Sequence, residues 1–158
     1  PMKTFSTIFI FILTTAVTFT FLLGIQKSFS SGDLSNLPHS KTPVIVELFT
    51  SQGCSSCPPA DRVAEALVTR DNLYVLSCHV TYWDYIGWKD TLGSSACDAR
   101  QRQYAQAKNT ARVYTPQMLI NGTKDVVGSR GEQVIHLITQ AQKQKTELIS
   151  ISSNEDLK

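Results

Sequence analysis

Cys54-Ser55-Ser56-Cys57 lies between a short apolar run, Val44-Ile-Val-Glu-Leu-Phe49, and a segment beginning Pro58-Pro59 whose apolar residues recur every three or four positions. The first pattern suits a strand buried in a sheet, and the second suits a helix with its prolines in the first turn, where backbone N–H groups lack partners anyway. A C-x-x-C pair at a strand-to-helix junction is a narrow constraint. Cys54 falls at or just before the helix N-terminus, where unpaired amides and the helix dipole favour a thiolate. Cys57 follows about one turn on, within reach to close an intramolecular disulfide. Cys54 is therefore the expected nucleophile and Cys57 the resolving thiol.

Zinc sites use the same spacing but need four ligands. Cys78 and His79 are the candidates to complete the set, yet neighbours on a strand point to opposite faces, which argues against both reaching one ion. No metal or other cofactor is expected. A permanent disulfide that staples the loop stays open as an alternative.

The rest of the chain reads as strand 72–80, a helix from Ala96 to about Lys108 with Ser95 and Asp98 as its capping box, and a hairpin. The hairpin runs from Pro116 to Val127 around the tight turn Asn121-Gly122. A last helix, with Ser129 and Glu132 as its cap, carries Val134, Leu137, Ile138 and Ala141 on one face. In the first helix the apolar face is Ala60, Val63, Ala64, Leu67 and Val68. Two parallel strands joined by a crossover helix, then an antiparallel hairpin, make an α/β fold: a small mixed sheet with helices on both faces. Cys78 falls in a strand read as central. Two free thiols at Cys78 and Cys97 are favoured over a bridge between them.

Glu47 interrupts the first strand. A buried acid beside a cysteine pair is a candidate proton shuttle with a raised pKa; the competing expectation is an ion pair or a partly exposed edge. The loop His79–Asp90 follows the second strand and emerges on the same sheet edge as the cysteines. Within it Tyr82, Trp83, Tyr85 and Trp88 are expected either to form a recognition surface or to fold over the edge as a satellite core. His79 and Asp84 are auxiliary candidates for proton transfer. Thr115-Pro116 precedes the hairpin, and X-Pro bonds are those that become cis at modest cost; Thr115 joins the four aromatics as a candidate for the recognition surface.

Residues 4–26 contain no charge and are mostly apolar, long enough for the roughly 20 residues a bilayer requires. Residues 1–27 are accordingly read as a signal peptide or an N-terminal membrane anchor, 28–43 as a linker, 44–145 as the folded domain and 146–158 as a polar tail. The expected setting is the periplasm or cell envelope, membrane-anchored if the segment is retained and secreted if it is cleaved. Without Lys3 and Lys27 the chain has 13 basic and 13 acidic residues, so it has no electrostatic footprint for nucleic acid.

Four segments, ELFTSQGCSSCPPAD (47–61), HVTYWDYIGWKD (79–90), RQRQYA (100–105) and VYTPQMLINGTKDVVGS (113–129), together resemble the DUF1223 family of bacterial exported proteins with a thioredoxin-like fold. The resemblance runs from about Pro43 to Gly128. It implies a thioredoxin-like placement of Cys54 and Cys57, with Pro116 as a cis proline facing them and Thr115 beside it. Departures include Cys78, where members carry an aromatic, and Thr81, where they carry an acid.

The function expected from these features is a thiol–disulfide oxidoreductase of the cell envelope, working on protein or small-molecule thiols and disulfides through Cys54, Cys57 and Pro116. The alternatives are a non-catalytic protein-binding module with a structural disulfide and a copper-handling thiol protein.

Overall fold

The computed structural model describes residues 37, 38 and 40–144. Its elements run β1 (Val44–Thr50), α1 (Pro58–Val68), β2 (Leu73–His79), a 3-10 turn (Asp84–Ile86), α2 (Ser95–Ala107), β3 (Gln117–Ile120), β4 (Lys124–Val127) and α3 (Gly131–Gln142). The strands form one mixed sheet in the order β2-β1-β3-β4. β1 pairs parallel with β2 and antiparallel with β3, and β3 pairs antiparallel with β4. This is the small α/β sheet expected from the sequence, with thioredoxin-like topology.

The period-2 alternation of β1 decides what lies on each face. Val44, Val46 and Leu48 face α1 and α3 in the larger core, with Ala60, Val63, Leu67, Val134 and Ile138. Phe49 turns to the opposite face and packs with Val80 and Leu119 under Tyr104 of α2. Helices thus cover both faces. Gly128 is needed where α1 crosses close: a Cβ there would lie 3.0 Å from the Ala60 Cβ and 3.1 Å from Leu48 Cδ1. In the hairpin, Asn121 and Gly122 both adopt positive φ, 48° and 66°, the left-handed conformation that a tight turn needs.

Several local expectations change. Val68 is 62% exposed and leaves the α1 face. Ser94, one residue earlier than expected, caps α2 by accepting the Ala96 N–H. Asp98 is buried and accepts the N–H and hydroxyl of Thr81 in place of a capping role. Arg130, not Ser129, stands at the start of α3, with no side-chain cap. β2 is an edge strand, half-open at Tyr74 and Leu76. Cys78 and Cys97 are not free thiols but form a second disulfide, Cα–Cα 5.5 Å. The end of β2 and the first turn of α2 meet there, a proximity that a sequence separation of 19 conceals.

The membrane expectations are corrected as well. Among the described residues no helix is long and apolar enough to cross a membrane. The 4–26 run on which the transmembrane reading, the membrane partner and the anchored location depended lies outside the described residues.

Candidate functional site

β1 ends at Thr50, and the chain turns through Ser51, Gln52 and Gly53 to reach Cys54. The turn is built by local bonds: Gly53 N–H donates to Ser51 Oγ at 3.1 Å, and Cys54 N–H donates to the Ser51 carbonyl at 3.1 Å. Thr50, fully buried, donates its hydroxyl to Asp61 in the first turn of α1 at 2.7 Å, tying strand end to helix start. Cys54 and Cys57 form a disulfide with Cα atoms 5.4 Å apart, and Cys57 stands at the N-cap of α1. Both are buried, Cys54 at 2% exposure and Cys57 at 0%.

The unpaired amides expected to stabilise a Cys54 thiolate are missing from this helix start. Pro58 and Pro59 bring no N–H, and the next two, on Ala60 and Asp61, both donate to the Cys57 carbonyl. Hydroxyls stand at the sulfur in their place. Thr115 donates its hydroxyl to Cys54 Sγ at 3.2 Å, and Ser56 Oγ lies 3.4 Å from the same sulfur. The Thr115–Pro116 peptide is cis, and Pro116 is buried. The Pro116 carbonyl accepts the Gly128 N–H at 3.0 Å, fixing this corner to the far end of the hairpin.

The aromatic loop divides into two parts. Tyr82 and Trp83 are half-buried and pack against the Phe49, Val80 and Leu119 cluster. Trp83 crosses to the site: its indole N–H donates to Thr115 Oγ1 at 2.7 Å, and a Cβ on Gly53 would approach the Trp83 Cβ to 3.1 Å. Tyr85 stacks on Trp83 at 6.4 Å and is 81% exposed, while Trp88 is 61% exposed and donates its indole N–H to Gln52 Oε1 at 3.0 Å. The loop is therefore partly a satellite core and partly an open aromatic rim beside the cysteine turn.

His79 and Asp84 organise a residue that sequence reasoning did not single out. Asp90, buried, sets Oδ2 2.7 Å from His79 Nδ1 and accepts the Gln52 N–H at 2.8 Å on the same oxygen. Its Oδ1 accepts the Leu92 N–H at 2.8 Å, and its own N–H donates to Asp84 Oδ1 at 3.1 Å. Burial pushes the Asp90 carboxyl up, but the donors from Gln52, His79 and Leu92 outweigh it and hold the group below the ordinary carboxylate range.

Glu47 is bound in a two-pronged pair with Arg100, whose Nε donates to Oε1 and whose Nη2 donates to Oε2 at 3.0 Å. Tyr104 donates to the same Oε2 at 2.8 Å. Burial and the Glu47 carboxylate together raise the Tyr104 phenol. Gln101, 1% exposed, is another residue without a sequence signal of its own. Its amide donates to the Tyr114 carbonyl and to Gln117 Oε1, both at 2.8 Å, and it accepts the Tyr82 hydroxyl at 3.1 Å. Through it α2 holds the segment leading into Thr115 and Pro116. Both Arg100 and Gln101 fall in RQRQYA, a segment recognisable only through the family resemblance.

A family model described as "Protein of unknown function (DUF1223)" matches residues 45–158. A crystal structure of a protein from Agrobacterium tumefaciens is 40% identical over 63% of this chain, with a TM-score of 0.60; the chain spans 45% of that protein's length. A thioredoxin of Malassezia sympodialis is 20% identical, with a TM-score of 0.39, over 66% of this chain and 79% of its own. No curated protein matches the chain.

Proposed function

The chain belongs to the DUF1223 family, and within that family we propose that it acts as a thiol–disulfide oxidoreductase through Cys54 and Cys57. The observation that carries the reading is the hydroxyl of Thr115 donating to Cys54 Sγ. A donor aimed at a sulfur favours the thiolate over the thiol, and the thiolate is the nucleophile in exchange.

The chemistry balances in both directions. In the reduced form the Cys54 thiolate attacks a partner disulfide, forming a mixed disulfide and expelling one partner thiolate. Cys57, as its thiolate, then attacks Cys54 Sγ, releasing the second partner thiolate and closing the Cys54–Cys57 bond; two electrons have passed to the partner. In the oxidised form a partner thiolate attacks Cys54, Cys57 leaves as a thiolate, and a second partner thiol resolves the intermediate. Thr115 stands at Cys54 Sγ, and the exposed rings of Tyr85 and Trp88 adjoin the cysteine turn through Trp83 and Gln52. His79, Asp84 and Asp90 hold the cysteine turn in place, whereas Glu47 serves the β1–α2 packing. Two disulfides in one small domain fit an oxidising compartment outside the cytoplasm, with residues 44–145 as the working domain.

One observation favours a second reading. Cys54 and Cys57 are almost fully covered, as a structural staple would be. A protein-binding module using the aromatic rim would keep the pair permanently oxidised. Equilibration with glutathione separates the two readings, because structural disulfides have potentials below about −300 mV. An exchangeable pair titrates above that, and Cys57→Ser accumulates mixed disulfides through Cys54. A pair that glutathione never reduces, with no adduct trapped, leaves only the staple.

A further inference from the structure

We propose that Trp83 is a positioning residue for the redox pair: by occupying one of the two acceptor sites of the Thr115 hydroxyl oxygen, it biases that hydroxyl toward donating to Cys54. The inference rests on the oxidoreductase reading and assigns the device that sets its nucleophile. A threonine hydroxyl has one proton and two lone pairs, and near a sulfur it works in either sense. Donating, it stabilises a thiolate; accepting from an S–H, it stabilises the thiol and slows exchange. The two senses act in opposite directions on the same group.

The indole N–H is a donor only. At 2.7 Å from Thr115 Oγ1, Trp83 Nε1 takes one of the oxygen's acceptor sites and leaves the hydroxyl proton to be directed elsewhere. Cys54 Sγ, 3.2 Å away, lies within its reach. A charged sulfur is a strong acceptor, so the proton goes to Cys54 once the thiolate forms.

Trp83 is well held for this task. Its backbone closes the 3-10 turn through Ile86 N–H at 3.2 Å, Tyr85 stacks on its ring, and Gly53 leaves room for its Cβ directly before Cys54. The arrangement also answers a deficit in this sequence. Pro58 and Pro59 remove the first helix amides, and a hydroxyl biased toward donating replaces part of what they would supply.

The test uses Cys57→Ser, in which Cys54 is free, and reads its thiolate by far-ultraviolet absorbance and by the rate of iodoacetamide alkylation. Trp83→Phe keeps the ring and removes the N–H. Thr115→Val removes the hydroxyl, and Thr115→Ser retains it. At a fixed pH below the titration midpoint, Thr115→Val should lower the thiolate fraction about tenfold, the equivalent of one hydrogen bond to a charged group. Trp83→Phe should lower it at least threefold, Thr115→Ser should behave as the parent, and the double variant should lose no more than Thr115→Val alone.

Additive losses in the double variant, or a Trp83→Phe protein that titrates as the parent does, overturn the assignment while the oxidoreductase reading stands. A Cys54 that titrates as an ordinary thiol already in the parent overturns both. A second readout avoids altering the tryptophan: in Cys57→Ser the Trp83 indole N–H resonance should shift with the same midpoint as Cys54. An indole signal indifferent to that titration also overturns the assignment.

Discussion

Asp90 accepts the backbone N–H of Gln52 at 2.8 Å from 38 residues further along the chain, so the turn that delivers Cys54 is held by a carboxylate in the aromatic loop. The same carboxylate takes His79 and the Leu92 N–H, which makes it the anchor of the whole sheet edge. Asp90→Asn keeps the volume but removes the charge, and wherever its amide nitrogen faces Gln52 or Leu92, donor meets donor. Hydrogen bonds to charged groups are worth about 1.5–3 kcal/mol, and the variant should lose roughly that much stability in urea unfolding of the oxidised protein. It should also be reduced faster by a phosphine, because the turn loosens. An unaltered urea midpoint would show that Asp90 is not an anchor.

The pH dependence follows from the same group. Burial opposes the Asp90 charge, the three donors prevail, and its folded titration lies below the ordinary value of 3.8. For a carboxylate depressed on folding, the unfolded chain binds the proton more readily. The stabilisation is therefore complete above the unfolded value and disappears as pH falls through the folded one. Wild type should lose stability in acid below about pH 4, and its margin over Asp90→Asn should narrow there. Urea midpoints for both proteins between neutral pH and strong acid measure this; a constant margin contradicts it.

Local pattern carried the sheet and helices, because strand alternation and helix periodicity are properties of neighbouring residues. Cys54 lies in the turn between β1 and α1, Cys57 at the N-cap of α1, and Pro116 immediately before β3. What local pattern missed was set by long-range pairing. Asp98 has a capping residue's spacing after Ser95, yet burial turns it to Thr81. Cys97 meets Cys78 only after α2 folds back on β2, and Gln101 finds Tyr114 and Gln117 across a segment with no periodicity. The first turn of α1 offers Cys54 no amide from Pro58 or Pro59, and those of Ala60 and Asp61 go to the Cys57 carbonyl, a deficit that the two prolines make legible in the sequence.

Glu47 and Arg100 should show the asymmetry of a covered ion pair. Glu47 is buried while Arg100 is half-exposed, so losing the arginine leaves a carboxylate with only Tyr104 to satisfy it. Arg100→Met should cost about 2–3 kcal/mol, less than for a fully buried pair because solvent reaches one partner. Glu47→Leu combined with Arg100→Met should recover most of that loss. Urea unfolding of the two proteins decides the point. A double variant no more stable than Arg100→Met would mean that the pair stabilises for its own sake.

The Cys78–Cys97 bridge should stabilise the fold without taking part in exchange. It closes a loop of 19 residues' separation and joins the end of β2 to the first turn of α2. Chain-entropy reasoning assigns about 3 kcal/mol to a loop of that length. Replacing both cysteines by alanine should lower the urea midpoint accordingly. It should leave the equilibrium of Cys54–Cys57 with glutathione unchanged, because the contacts at Cys54 come from Thr115 and Ser56 rather than from the start of α2. The stability loss should be independent of whether Cys54–Cys57 is oxidised. If removing Cys78 and Cys97 instead moved the glutathione equilibrium, the bridge would be electrically or mechanically coupled to the pair, and α2 would have to be counted as part of the redox site.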